Sequence, residues 1–343
     1  MIRIGVDAWN LPGDRRGIGR YLREILRAWW ERERKRVEVA LIVPEWHSWT
    51  VRRRYLREVR DRPYRVVSRR GHRLANLDAL WFPFNGCSWT DFSVPATATL
   101  HDASNFVIPG YAPETQRIFR TAAQRCCALI TDSHFAQAEL ARELQIPAQR
   151  LVPIALGVNP PRPPARDALD VARFAPYVLY VGAAEERKGF DVLLAAMAGV
   201  ARGRPDLSLV VTTRLDGLGR NDDLRIVELG HVDEDTLAAL YRGCSVLAFP
   251  SRYEGFGLPV LEAMSYGAPV VATHASAVPE AGGDAVCYVK PGNPDELAAA
   301  ILRVTTDFEY ASDLRRRGPI RAAAFTWERT AAATLAIIES TLA

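Results

Sequence analysis

No uninterrupted apolar run in this sequence reaches the roughly 18–20 residues that a helix needs to cross a bilayer. Its first residues, MIRIGVDAWN, lack a basic region followed by an apolar stretch, so no secretory leader is expected there. Cysteine is scarce: Cys87, Cys126, Cys127, Cys244 and Cys287 are the five among 343 residues, with no CxxC spacing. That pattern speaks against a disulfide framework and against a zinc site, and the expected compartment is a reducing cytoplasm. Internal repeats are missing, as are low-complexity tracts outside one proline-rich stretch. What is present is a globular composition, 48% hydrophobic and 24% charged. The formal net charge of +4 conceals an uneven distribution, because the first 75 residues are strongly basic and the rest are net acidic. A basic lobe joined to an acidic one points to an anionic partner for the first.

A chain of 343 residues exceeds one ordinary domain, and strands alternate with helices throughout. Residues 2–6 read as a buried strand. From Ile18 to Arg36 the apolar positions Ile18, Tyr21, Leu22, Ile25, Leu26 and Trp29 fall on one helix face. Strands are expected at 37–43, 64–67, 78–82, 96–100, 127–131 and 150–156. Helices are expected at 49–60, 113–124 and after Ser133, a natural N-cap. The segment 158-VNPPRPPARDALDVARFAP-176 lacks a period and reads as a linker. Alternation then resumes, with strands at 177–181, 207–213, 225–230, 245–249, 269–273 and 285–289, and helices at 189–202, 235–242, 257–266 and 294–304. The expected architecture is α/β, with two facing Rossmann-like, doubly wound domains and a cleft between them. The boundaries are 1–160 for the first domain, 161–176 for the linker and 177–325 for the second domain. In such sheets ligands bind beyond the C-terminal strand ends.

Chemistry concentrates in 253-YEGFGLPVLEAM-264. A buried strand ends at Pro250 and a helix starts near Leu258, so Glu254 lies on the loop at the strand's C-terminal edge. Gly255 and Gly257 leave room for a ligand against the backbone, and the helix start offers N–H groups to an anion. Glu262, about a turn and a half into the helix, is either an ordinary helical glutamate or an acceptor for ligand hydroxyls. Arg187 and Lys188 follow a strand ending near Gly182, and such a pair can hold a diphosphate without a metal or can simply be surface bases. Gly17 and Gly19 open the first long helix without completing a GxGxxG fingerprint, since Arg20, Tyr21 and Leu22 follow. His101, with Asp102 beside it, stands at another C-terminal strand edge.

Taken together, these segments resemble the retaining nucleotide-sugar glycosyltransferases of family four, which have the GT-B fold and an E-x7-E signature. The resemblance covers nearly the whole chain. It runs through 17-GIGRY-21, 101-HD-102, 132-DSHFAQAEL-140, 157-GVN-159, 180-YVGAAEERKGFDVLLAA-196, 230-GHVDEDTLAALY-241 and 248-AFPSRYEGFGLPVLEA-263. It implies that Arg187 and Lys188 stabilise a departing diphosphate, Glu254 holds the sugar hydroxyls and Glu262 the ribose. Gly17, Gly19, Gly182, Gly255, Phe256, Gly257 and Leu258 would line the donor site, and His101 would lie close to the transferred sugar. His101, Glu254 and Lys188 are then the catalytic candidates. One departure is Ala183, where many relatives carry arginine directly after the glycine. A C-terminal helix over 326–343, packing back on the first domain, is also implied. The tract from His101 through Leu140 is most similar to O-antigen and capsule mannosyltransferases, which favours GDP-mannose as donor over UDP- or dTDP-hexoses.

Asp233, Glu234 and Asp235 match the D-x-D pattern of metal-dependent transferases, but they precede a helix, where acids cap and complement the dipole. No metal and no cofactor are expected. The basic stretch Arg23, Arg27, Arg32, Arg34, Lys35 and Arg36, then Arg52, Arg53, Arg54, Arg57 and Arg60, is interleaved with Trp29, Trp30 and Trp49. It is either a solvated helix surface or a peripheral contact with an anionic membrane at the inner face. No nucleic-acid module is visible. Expected partners are a nucleotide-sugar donor and a glycan, glycolipid or small-molecule acceptor. A nucleotide-sugar 2-epimerase of the same fold and a non-catalytic nucleotide-binding partner are the alternatives.

Overall fold

The computed structural model describes residues 1–13, 17–44, 64–71, 76–164, 169–215 and 224–342. The chain divides into two compact units, one formed by Met1–Gly157 with Thr326–Ala343 and the other by Val158–Phe325.

The first unit begins with β1 (Ile2–Asp7), α1 (Gly17–Glu33), β2 (Val37–Val43), β3 (Arg65–Ser68), β4 (Ala79–Phe82) and β5 (Ala96–Thr99). It continues through a helical turn α2 (Ser104–Val107), α3 (Pro113–Arg125), β6 (Ala128–Thr131), α4 (His134–Leu144) and β7 (Leu151–Pro153). The strands form one sheet in the order β3-β2-β1-β4-β5-β6-β7, and every neighbouring pair is parallel. Helices cover both faces of such a sheet, so its central strands are apolar along their length instead of alternating. Ala79–Phe82 and Ala96–Thr99 are buried at every position. On α1 the buried residues include Tyr21, Leu22, Ile25, Leu26 and Trp29, the stripe that the helical period predicts.

The second unit repeats the plan with β8 (Tyr177–Tyr180), α5 (Phe190–Gly203), β9 (Ser208–Val211), β10 (Ile226–Glu228), α6 (Glu234–Gly243), β11 (Val246–Phe249) and α7 (Leu258–Ser265). Then follow β12 (Val270–Thr273), α8 (Val278–Gly282), β13 (Cys287–Val289), α9 (Pro294–Thr306) and α10 (Phe308–Ala322). Its parallel sheet has the order β10-β9-β8-β11-β12-β13. In both sheets the order reverses once, between β1 and β4 in the first and between β8 and β11 in the second. Helices that leave neighbouring strands there depart to opposite faces, which opens a crevice at the strands' C-terminal ends.

The last helix, α11 (Trp327–Ser340), returns to the first unit. Trp327 is buried and Trp29 Nε1 donates to the Ala331 carbonyl at 2.9 Å, while Thr330 donates to that of Ala155 at 2.8 Å.

Three sequence expectations need correction. The crossing between units falls at Gly157 and Val158, not over a linker at 161–176. Val158 N–H already bonds to the Phe325 carbonyl at 3.1 Å, Arg162 pairs with Glu234 and Asp235, and Phe174 is buried. Three helical segments, α2, α8 and α10, had no place among the expected elements; α10 contains Pro319 directly after Gly318, a dipeptide that ordinarily breaks helices. Trp29, which the sequence placed both on the apolar face of α1 and among the tryptophans of the basic stretch, is a core residue, so only the first of those places holds. The helix expected over 49–60, with Trp49, Arg52, Arg53, Arg54, Arg57 and Arg60, lies outside the described residues.

Gly157 marks the place where α11 enters. A Cβ there would stand 2.2 Å from the Trp327 nitrogen and 2.4 Å from the Thr326 carbonyl carbon. Both obstacles are backbone and cannot rotate away. Gly157→Ala is expected to destabilise the first unit by about 1–3 kcal/mol, the cost of overpacking. Urea denaturation followed by tryptophan fluorescence measures it, and a midpoint equal to wild type would refute the close approach.

Candidate active site

The loops that leave β8 and β11 carry most of the residues singled out in the sequence. They follow the two strands at which the second sheet reverses its order. After β8, the Tyr180 hydroxyl donates to the Ala183 carbonyl at 2.6 Å and shapes the turn around Gly182. Burial, followed by the Glu254 and Glu185 carboxylates, pushes that phenol well above its ordinary value, so it stays a donor. A short 3-10 turn, Glu186–Lys188, then presents Arg187 and Lys188 and ends at Gly189 with φ 67°. Only a residue without a Cβ suits this place, since a Cβ would lie 2.1 Å from the Pro250 carbonyl oxygen.

After β11, the chain places Glu254 against Lys188. Nζ donates to Oε1 at 2.6 Å, with side-chain exposures of 19% and 10%. This pair is held by its neighbours. Arg252 N–H donates to the Arg187 carbonyl at 2.8 Å, and Arg187 Nη1 donates to the Tyr253 carbonyl at 3.2 Å. The Arg252 guanidinium grips Asp191, in the first turn of α5, through both carboxylate oxygens at 2.8 and 2.7 Å. That hydrogen bonding keeps the Asp191 carboxyl below the usual carboxylate range. On the other side, Ser276 Oγ accepts from Glu254 N–H at 2.9 Å.

Gly255 and Gly257 complete the turn, and Gly257 (φ 108°) is the N-cap of α7 with no side-chain cap. Leu258 is the first residue of α7 and half-buried, so the helix start and its dipole lie beside Glu254 in sequence. Phe256 is buried, its ring edge-on to Phe325 at 5.8 Å. Glu262 is buried on α7, where Oε2 accepts from the Tyr241 hydroxyl at 2.9 Å; Tyr241 stacks on Tyr266.

The other sequence candidates belong to the first unit. Gly17 opens α1 and is exposed, whereas Gly19 is buried within it. His101 follows β5, buried, with Nδ1 at 2.8 and 3.0 Å from the two Asp132 oxygens and Nε2 at 2.9 Å from the Pro83 carbonyl. Asp233 caps α6 by accepting from Thr236 N–H at 2.7 Å, and Glu234 and Asp235 both meet Arg162. The D-x-D acids are therefore occupied with helix capping and ion pairing.

Sequence reasoning passed over Asp132, Asp191, Tyr241, Arg252 and Ser276. Asp191 and Arg252 stand inside the quoted motifs, and their opposite charges were a usable signal. So was the rarity of lysine, for Lys188 is one of only three, with Lys35 and Lys290, in an arginine-rich chain.

Residues 175–307 match the family described as Glycosyl transferases group 1. Over 266 residues the chain is 32% identical to the O-antigen chain mannosyltransferase B of Escherichia coli, covering 70% of this chain and 69% of that protein. The chain belongs to the group 1 glycosyltransferases. This glycosyltransferase is also 32% identical over 238 residues to the MMP alpha-(1->4)-mannosyltransferase of Mycolicibacterium hassiacum, covering 65% of this chain and 56% of that one. Its fold is shared with a sucrose-phosphate synthase from Thermosynechococcus elongatus, with a TM-score of 0.77 at 20% identity over 99% of both chains. Its architecture is thus GT-B, built from two Rossmann-like parallel-sheet domains.

Gly189 tests whether the two loops of the glycosyltransferase act as one site. Gly189→Ala forces the Pro250 carbonyl away and should part Lys188 from Glu254. Thermal stabilisation by a saturating nucleoside diphosphate is expected to fall by at least half while the far-ultraviolet dichroism stays as in wild type. Full stabilisation by the nucleotide would show that the contact between the two loops is not needed for binding.

Proposed function

We propose that this glycosyltransferase transfers a mannosyl unit from GDP-mannose, with retention at the anomeric carbon, to a glycan, glycolipid or other small acceptor, and needs no metal. The observation that carries the reading is Lys188 fixed on Glu254 at the order reversal of the second sheet. An ammonium has three donors, so one can hold Glu254 while others meet phosphate oxygens. Arg187, in the same turn, adds a guanidinium. These cations stabilise the charge that grows on the diphosphate as the bond from C1 to the phosphate oxygen breaks. Glu254 accepts from the sugar's hydroxyls, and Glu262, oriented by Tyr241, accepts from the ribose. The new bond forms between C1 and the acceptor oxygen on the same face, and the acceptor's proton passes to the departing phosphate oxygen. Mannose as the sugar is supported by the two relatives named as mannosyltransferases.

The lipid-linked or glycan acceptor would be met in the cytoplasm at the inner membrane face during polysaccharide synthesis. Among the described residues no helix is long and apolar enough to cross a membrane. Peripheral contact would rest on the end of α1. Arg27 pairs there with Glu24, Glu31 and Glu328, and Arg36 with Glu33 and Glu339, whereas Arg32, Arg34 and Lys35 are exposed.

Thermal shift across GDP-, UDP- and dTDP-sugars is expected to single out GDP-mannose. Lys188→Ala should lower kcat by about a hundredfold or more. Proton NMR of the product should show the donor's anomeric configuration, and chelator should leave the rate unchanged. A wild-type rate in Lys188→Ala, an inverted product or a strict manganese requirement would each defeat the corresponding part. Vesicle flotation addresses the membrane: binding to phosphatidylglycerol vesicles but not to phosphatidylcholine is expected, and equal recovery with both would remove that contact.

A further inference from the structure

His101 offers no ring nitrogen for proton transfer. The group facing Nε2 is the Pro83 carbonyl, which has no proton to give, so Nε2 carries the hydrogen of that bond. Nδ1 faces both oxygens of Asp132, and one proton lies in that bridge whichever atom holds it. An imidazole engaged on both sides has no lone pair left for an acceptor hydroxyl.

The ring is also fixed in place. His101 is 6% and Asp132 4% exposed. Tyr21 from α1 stands edge-on to the ring at 4.9 Å, with its own hydroxyl bonded to Thr99 at 3.1 Å. The backbone N–H of His101 donates to Asn85 Oδ1 at 2.8 Å. Supports thus come from α1, from the loop after β4 and from the end of β6.

We propose that Asp132 is a positioning residue that keeps His101 as a fixed imidazolium at the end of β5 and removes it from acid–base chemistry. Its part in glycosyl transfer rests on the function proposed above. There His101 contributes a constant charge and shape, and the acceptor's proton must leave by another route.

The titratable groups facing the ring are Asp132, Tyr21 and Asp102, the last tied to Ser104 N–H at 2.8 Å. Burial opposes the charged ring, but the Asp132 carboxylate, its hydrogen bond and the Pro83 carbonyl outweigh it and raise His101 above the ordinary histidine value. Burial pushes Asp132 up as well, against the pull of the imidazole. The pair settles as imidazolium and carboxylate, because the carbonyl on Nε2 strengthens the base at Nδ1.

Nitrogen-15 histidine NMR of the intact protein tests this, with the resonances assigned through His101→Gln. In wild type the His101 ring should be cationic at about pH 7.5, a pH at which an unperturbed histidine is neutral. Asp132→Asn should leave it neutral there, with a midpoint at least about one pH unit lower. In turnover, Asp132→Asn should lower kcat about tenfold or more with donor KM within about twofold, the division expected when a shell that orients a catalytic group is lost. A neutral ring in wild type at that pH overturns the proposal without any variant, so failure of Asp132→Asn to fold does not protect it. An unaltered titration in a folded Asp132→Asn overturns it too. If the ring titrates as expected but no sugar nucleotide is turned over, the pairing stands and the proposed function fails.

Discussion

The contact between Lys188 and Glu254 is the constraint on which the second unit's site depends. Two loops that leave neighbouring strands must stay in register within a few tenths of an ångström for it to form. The pair does not secure this alone. A largely buried ion pair loses hydration that its attraction only partly restores, so it contributes little net stability. Register comes from the backbone bonds between Arg187, Arg252 and Tyr253, from the two-point grip of Arg252 on Asp191, and from the absence of a Cβ at Gly189. Arg252 is suited to that task because its planar fork fixes an angle as well as a distance, which an ammonium cannot do. The chain thus uses arginine to build the site and a rare lysine within it.

The two units divide the chemistry by kind. In the second, the charges of Lys188 and Glu254 stand beside glycines and a helix start. In the first, His101 and Asp132 are enclosed, and each polar atom of the ring already has a protein partner. The same topology, a strand end at a sheet's centre, can therefore present a group or lock it away. The neighbouring side chains decide which.

Much of this was legible in the sequence. Parallel strands covered on both faces appear as short apolar runs, and 177–181, 245–249 and 269–273 each yielded a strand near its predicted place. The linker misled because proline-rich, aperiodic sequence reads as solvent-exposed. Here Arg162 and Phe174 tie it to the second unit through contacts with residues far along the chain. Helix α10 was hidden by Gly318 and Pro319, which interrupt local propensity but not a helix held by tertiary packing. Within the site, the residues of each contiguous motif were visible, but which residue of one motif meets which of another was not. Asp132 lies 31 residues from His101, and Arg252 lies 61 from Asp191. Spacing within a segment carries no information about pairs that only the sheet brings together.

Because Val158 and Phe325 are hydrogen-bonded, the second unit enters and leaves the first at a single point, as an insertion. During synthesis every residue of the inserted unit leaves the ribosome before α11 does. The first unit, although begun earlier, cannot cover Trp29 and Gly157 until Trp327 and Ala331 have emerged. Its nascent form therefore holds an open apolar seam for as long as the insertion takes to be made, and the N-terminal half is completed last.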